Sequence, residues 1–373
     1  SNRPAPLFVT FFIIMTQRLH YIDSVRALAM YLGILLHATL TLLPWHGDYE
    51  MKEGYRLLLL FIHGFRMPLF MIISGFFTEM IIRRYGVSQF IDKRLRRIGL
   101  PYIVFVPLIT ILFISTYMIG GFFVDWDSIN ITEEAKEAKL DDEFNHGHLW
   151  FMYFLLIFTF LYSGITYFSK KISFRININY CLIAIMPTVL FFIIFQPGGI
   201  ISRPATDLSF FPHWSILGYY FAFFLFGALF FKLKNNGQNF IEKISRIQIA
   251  FYWIPIVSFI ICLIISENKI YLLGELFNFI YTWSSILVII LIFYKFMNSF
   301  NSKIRYLSDA SYYVYIIHVP IIILFQGVVS SLEINHFIKF ILIVVLTTIF
   351  SLITYHYFVR KTLIGILLNG KRA

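Results

Sequence analysis

The chain has 373 residues, of which 59% are hydrophobic and 14% charged, with a formal net charge of +11 and a mean hydropathy of +0.76. So apolar a composition excludes an ordinary soluble domain. The excess of Lys and Arg falls in short stretches between apolar runs, which is a topology signal rather than a nucleic-acid surface, and no nucleic-acid partner is expected.

Pro6 to Met15 is apolar but about half the length that a crossing needs. Met15 and the TQRLHYIDSVRALAM after it read like a natural start, so the first fourteen residues need not be native, and 1–17 is set apart as an N-terminal extension. Apolar runs of spanning length follow at roughly 26–45, 57–82, 98–119, 147–168, 179–195, 212–231, 249–266, 271–295, 308–330 and 335–358. The fold class expected is therefore all-α, a polytopic membrane helix bundle of about ten transmembrane helices. Connections alternate in charge, with Arg83, Arg84, Lys93, Arg94, Arg96 and Arg97 after the second span and a run of acids from Asp125 to Glu143 after the third. Later basic groups, such as Lys170 and Lys171, Lys232 and Lys234, and Lys303 and Arg305, all fall on one side of a ten-span chain. The positive-inside rule then makes both termini cytoplasmic, with a membrane domain at 18–361 and a basic cytoplasmic tail at 362–373. The longest loop, 120–147, is acidic and outside.

Ionisable side chains inside such spans are costly and mark function or tight pairing. In the first span, DSVRALAMYLGILLHA puts Arg26, Met30, Gly33 and His37 on nearly one face, with Arg26 and His37 eleven positions apart. His37 then lies ~17 Å in from the cytoplasmic end, near the midplane. Asp23 precedes Arg26 by three and is expected to pair with it, and Gly33 leaves room for something to lie along the helix. For Arg26 alone a snorkelling cation at a helix start is an equal reading. In the second span, HGFRMPLFMIISGFF aligns His63, Arg66, Phe70 and Ser74, with Arg66 at a depth similar to His37. A guanidinium there needs an anion, a wet cavity or a structural partner. Pro68 and Gly75 are expected to bend or break this helix.

The fourth span opens on His146-Gly147-His148-Leu149-Trp150, read as an outer rim for a polar acceptor. No carboxylate or cysteine set completes a metal site around it, and none is expected. Trp126, Trp150, Trp214, Trp253 and Trp283 mostly fall near span ends, where belt anchoring is expected. In the ninth span, SDASYYVYIIHVP forms a polar stripe of Ser308, Ser311, Tyr315 and His318, and a lone membrane histidine is as often hydrogen-bonded packing as function. Cys181 and Cys262 sit far apart in apolar runs and read as small buried hydrophobes. No Walker loop, dinucleotide fingerprint, HEXXH or Ser-His-Asp order occurs.

Taken in order, YIDSVRALAMYLGILLHA, FRMPLFMIISGFF, RLRRIGLPY, HLWFMYFLL and SDASYYVYIIHVP resemble the acyltransferase 3 family of integral membrane enzymes, and within it the type that succinylates periplasmic glucans. The resemblance runs from about Arg18 to Lys361, although roughly 170–303 matches in hydropathy more than in motif. It implies an acyl-CoA-dependent O-acyltransferase of the bacterial cytoplasmic membrane. Succinyl-CoA is the favoured co-substrate and acetyl-CoA the alternative, with no cofactor bound permanently. The implied acceptor is a hydroxyl of a periplasmic or extracellular glucan or other polysaccharide, and membrane lipids surround the chain. Residue by residue, His37 matches the family's essential histidine, Arg26 its partner, Arg94, Arg96 and Arg97 the basic cytoplasmic stretch, and His318 a recurrent late-helix position.

On this reading Arg26, Arg94, Arg96 and Arg97 hold the CoA phosphates and the pantetheine arm lies along Met30 and Gly33. A neutral His37 takes the proton of the attacking hydroxyl, and Arg66 meets the free carboxylate of a succinyl donor or a thioester oxygen. His63, His148, His318, Ser311 and Tyr315 are acceptor-binding or supporting. The rival reading is a sugar or lipid transporter or flippase, which broken helices and midplane charges would suit. Against it stand the lack of an evident repeat and the gathering of Arg at one mouth.

Overall fold

The computed structural model describes residues 19–40, 53–123, 146–171, 177–197, 204–233, 237–246, 249–268 and 270–369. The extension at 1–17, most of the acidic loop with Trp126, and the end of the basic tail lie outside the described residues. Within them every regular element is helical: α1 His20–Leu40, α2 Glu53–Arg94, α3 Leu100–Gly121, α4 Trp150–Lys171, α5 Ile178–Ile194, α6 Trp214–Lys232, α7 Gln238–Ser245, α8 Ile254–Glu267, α9 Tyr271–Phe296, α10 Ser302–Ser330, α11 His336–Thr354 and α12 Leu363–Asn369. A π-helical turn, Leu95–Gly99, joins α2 to α3, and a 3₁₀ turn, Gly147–Leu149, leads into α4. Asparagines cap three helices: Asn177, Asn301 and Asn335 each accept a backbone N–H of the first turn through Oδ1, at 2.8–3.2 Å.

Seven helical runs are long and apolar enough to cross a membrane. The count differs from the ten runs of the sequence for local reasons. Gly54–Gly121 is one run of 68 residues that absorbs two expected spans. α5 has 17 residues, and α1 carries Asp23, Arg26 and His37 among its 21.

The expected break at Pro68 or Gly75 is not where α2 breaks. The helix runs through both and departs from helical geometry at Gly86, with φ 82° and ψ 169°, a backbone region that essentially only glycine enters. Beyond that turn the chain comes back on itself, so that Arg94 Nη2 donates to Thr78 Oγ1 at 2.8 Å and to Ser74 O at 3.3 Å. Gly75 serves a crossing instead. A Cβ there would stand 1.8 Å from Phe224 O, and one at Gly227 would stand 1.9 Å from Ile72 O, so α2 and α6 touch backbone to backbone. Gly327 and Gly120 do the same for α10 and α3, at 2.5 Å from the absent Cβ to the facing Cα.

α10 packs on α1, α3 and α11, while α2 packs on α1, α4, α6 and α9, so the polar stripes of α1, α2 and α10 face one interior. The belt expectation fails for two tryptophans. Trp150 is buried against Phe154 and Tyr220, and Trp283 against Phe223 and Phe226, because their helices turn those faces to α6. Trp214 and Trp253 are exposed.

Candidate active site

A cavity of about 620 Å³ opens between α1, α2, α4 and α10. Arg26, Arg84, Lys93, Arg94, Arg97 and Arg305 line it, against only two carboxylates, Asp23 and Asp309. Six cations on one concave wall favour a polyanion. Arg26 Nη2 lies 3.5 Å from Asp23 Oδ1, the local pair expected from their spacing, and donates to Ser308 Oγ on α10 at 3.1 Å. Ser308 in turn donates to Asp23 O at 3.2 Å, so the two helices are tied at the mouth. Arg305 pairs with Asp309 one turn on, at 3.1 Å. Arg96 is not among the lining residues: it is exposed and pairs with Asp92 at 2.9 Å. Arg84, Lys93 and Arg305 are the cations that a topology reading leaves out of the site. Lys93 stands four before Arg97 and Arg305 three before Ser308, helical spacings that could have found them, whereas Arg84 lies before the Gly86 break and carries no such signal.

The cavity reaches inward to Met30, Phe70, Ser74 and Ser311. One turn deeper, the space beside Gly33 is occupied. A Cβ at position 33 would stand 2.6 Å from Arg66 Nη1 and 3.3 Å from His318 Nε2. The groove expected along Met30 and Gly33 is therefore crossed by the guanidinium of α2 and the imidazole of α10. Arg66 is buried. Its Nε has no hydrogen-bond partner, and no ion pair among the described residues involves it. A desolvated cation without an anion is costly, so this position is built for an anionic or strongly polar oxygen.

Beyond Arg66 lies a layer of three imidazoles. The rings of His37 and His318 meet edge to face at 5.1 Å between centroids, and those of His148 and His318 at 5.3 Å. His318 is fully buried, whereas His37 is only half-buried. His148 is a correction to the outer-rim reading, for it is buried against α10 with Nε2 2.8 Å from Ile316 O, while Tyr315 OH donates to His148 O at 2.6 Å. The turn Gly147–Leu149, with Gly147 at φ 54°, carries it there ahead of α4. Ser311 donates to Ser308 O at 2.9 Å and lies on the cavity wall rather than in the imidazole layer.

His63, one turn before Arg66 on α2, hydrogen-bonds Pro204 O at 2.7 Å. The loop 204–213 is held at further points: Tyr220 OH donates to Ala205 O, Tyr153 OH to Phe210 O, and His146 N to Leu208 O. Within the loop Asp207 accepts from Ser209 Oγ, Ser209 N and His213 N. Burial pushes the Asp207 carboxyl up, but these hydrogen bonds outweigh it and hold the group below the usual carboxylate range. Sequence periodicity carries no sign of this loop, whose contacts run mainly through carbonyl oxygens.

Three proteins similar to this chain share one name. Glucans biosynthesis protein C of Salmonella paratyphi B and that of Salmonella dublin are each 24% identical over 381 residues, covering 95% of this chain and 95% of theirs. The protein of the same name from Escherichia coli O139:H28 is 25% identical over 387 residues with the same coverage. No solved structure matches the chain. The family described as an acyltransferase domain matches residues 19–356, from the first described residue to the turn after α11, and the chain belongs to that acyltransferase family.

Proposed function

We propose that the protein is a membrane-bound O-acyltransferase that moves an acyl group from acyl-CoA, entering at the basic face, to a hydroxyl of a glucan beyond a bacterial cytoplasmic membrane. Gly54–Gly121 then makes two crossings and α1 and α5 one each, ten in all, with both termini on the basic side by the positive-inside rule. Arg26, Arg94 and Arg97, with Arg84, Lys93 and Arg305, hold the CoA phosphates by charge-assisted hydrogen bonds, and exposed Arg96 adds long-range attraction. The acyl end passes Met30 to Arg66 and His37. There the acceptor oxygen attacks the thioester carbonyl carbon and its proton goes to His37. The C–S bond breaks, and CoA leaves as a thiolate that takes the proton back from His37. Arg66 stabilises the carbonyl oxygen or, with succinyl-CoA as the favoured donor, the distal carboxylate. The relatives' name supports a glucan acceptor.

The observation that carries the reading is the buried Arg66, without an acidic partner among the described residues, standing between a polycationic cavity and three imidazoles. The test is a thermal-shift titration of the detergent-solubilised protein with CoA, acetyl-CoA and succinyl-CoA, joined to turnover with a glucose oligosaccharide. Ligand at about 100 times its Kd stabilises by about 2.7 kcal/mol, and succinyl-CoA should shift the melt furthest. A folded His37→Ala protein with undiminished transfer would remove the base. Sugar uptake driven by an ion gradient, with no response to CoA, would replace the enzyme with a transporter.

A further inference from the structure

Two buried histidines beside His37 each have one ring nitrogen committed and one idle. His318 Nδ1 lies 2.7 Å from Tyr315 O, and His148 Nε2 lies 2.8 Å from Ile316 O. A carbonyl oxygen only accepts, so in each ring the nitrogen facing it carries the proton. The other nitrogens, His318 Nε2 and His148 Nδ1, are buried and have no hydrogen-bond partner among the described residues. In the neutral rings both are pure acceptors, and an unpaired buried acceptor costs free energy until a donor reaches it. The rings stand edge to face at 5.3 Å, and Arg66, a pure donor, closes the same space at Gly33.

A ligand that satisfies these nitrogens must therefore bring hydrogens to the two imidazoles and tolerate a guanidinium. A carboxylate offers only lone pairs to those nitrogens and is drawn to Arg66 instead. An ammonium group would donate, but it meets the Arg66 charge at close range. Hydroxyls satisfy all three groups, because they donate to nitrogen and accept from guanidinium. We propose that His148 and His318 form an acceptor subsite for a polyol: their bare nitrogens receive hydrogen bonds from two sugar hydroxyls next to the one acylated over His37. The assignment rests on the acyltransferase reading and makes the two histidines positioning residues for the acceptor, with the donor arm on Arg66 and the cations below.

The test uses substitutions that keep the backbone bond and delete the bare nitrogen. Asn at 318 places an amide N–H where Nδ1 was, and Gln at 148 places one where Nε2 was. In purified full-length protein, with succinyl-CoA or acetyl-CoA as donor and a linear glucose trisaccharide as acceptor, His318→Asn and His148→Gln should each raise the acceptor KM about tenfold. The donor KM and the CoA-induced rise in melting temperature should stay put. With the unaltered protein, monodeoxy trisaccharides that keep the reacting hydroxyl but lack a contacted one should lose about tenfold in kcat/KM, which needs no variant to fold. The inference is overturned if every such analogue reacts as well as the parent. It is equally overturned if the folded variants change acceptor KM by less than about twofold, or if they raise donor KM instead, as a pantetheine amide on these nitrogens would require. Transfer by the unaltered protein together with that result would sink the subsite alone. No CoA stabilisation and no transfer would sink the enzyme reading beneath it.

Discussion

Gly33 and Arg66 are intelligible only as a pair. The absent Cβ of Gly33 leaves the 2.6 Å that Arg66 Nη1 fills, and a spacing argument along α1 cannot see a side chain arriving from α2. Depth is legible at this scale: spacing puts Arg66 and His37 at similar levels in opposite-running spans, and in the fold Arg66 borders Gly33 together with His318, whose ring meets that of His37. The Asp23 and Arg26 pair was legible too, because an i, i+3 contact needs nothing beyond the helix. Arg66→Met should separate function from stability. Acyl transfer should fall at least about 100-fold, the scale seen when a transition-state donor is lost, while the melting temperature holds or rises because a desolvated charge has gone. A parallel fall in both, by turnover and thermal melt in the same detergent, would make Arg66 structural.

Helices were legible in the sequence as apolar runs of about 20 residues, but their junctions were not. A glycine at a crossing and a glycine at a break look alike in one sequence, so spacing points to Pro68 and Gly75 for a break that the fold makes at Gly86. The two differ in what faces them: Gly75 has the Phe224 carbonyl at 1.8 Å from its missing Cβ, and Gly86 has nothing within 4 Å but a positive φ. His148 was misplaced for a similar reason, since a 3₁₀ turn before α4 has no periodic signature. Gly227→Ala should destabilise the protein by about 1–3 kcal/mol, the scale of overpacking, since its Cβ meets the backbone of Ile72 rather than a side chain that can swing away. The readout is the melting temperature, and an unchanged value would mean that α2 and α6 separate at no cost.

For the whole molecule, the alternation of basic and acidic connections carries the proposed topology, and the ordered motif blocks carry the family, which the match over 19–356 bears out. A fluorescent reporter fused after Ala373 should fold and glow in the cytoplasm, whereas an alkaline phosphatase fused there should stay inactive. The opposite pattern would invert the proposed orientation. The wall of cations has a mechanical side as well. Arg84 precedes the Gly86 turn and Lys93, Arg94 and Arg97 follow it, so like charges crowd the two arms of one bend. That bend is fastened by neutral partners, with Lys93 over the Tyr85 ring and Arg94 on the Ser74 carbonyl and the Thr78 hydroxyl. Like charges on the two arms repel, and added electrolyte screens that repulsion rather than weakening a bond. A phosphorylated visitor spanning both arms would act as a clasp, neutralising the charge on either side of the Gly86 bend.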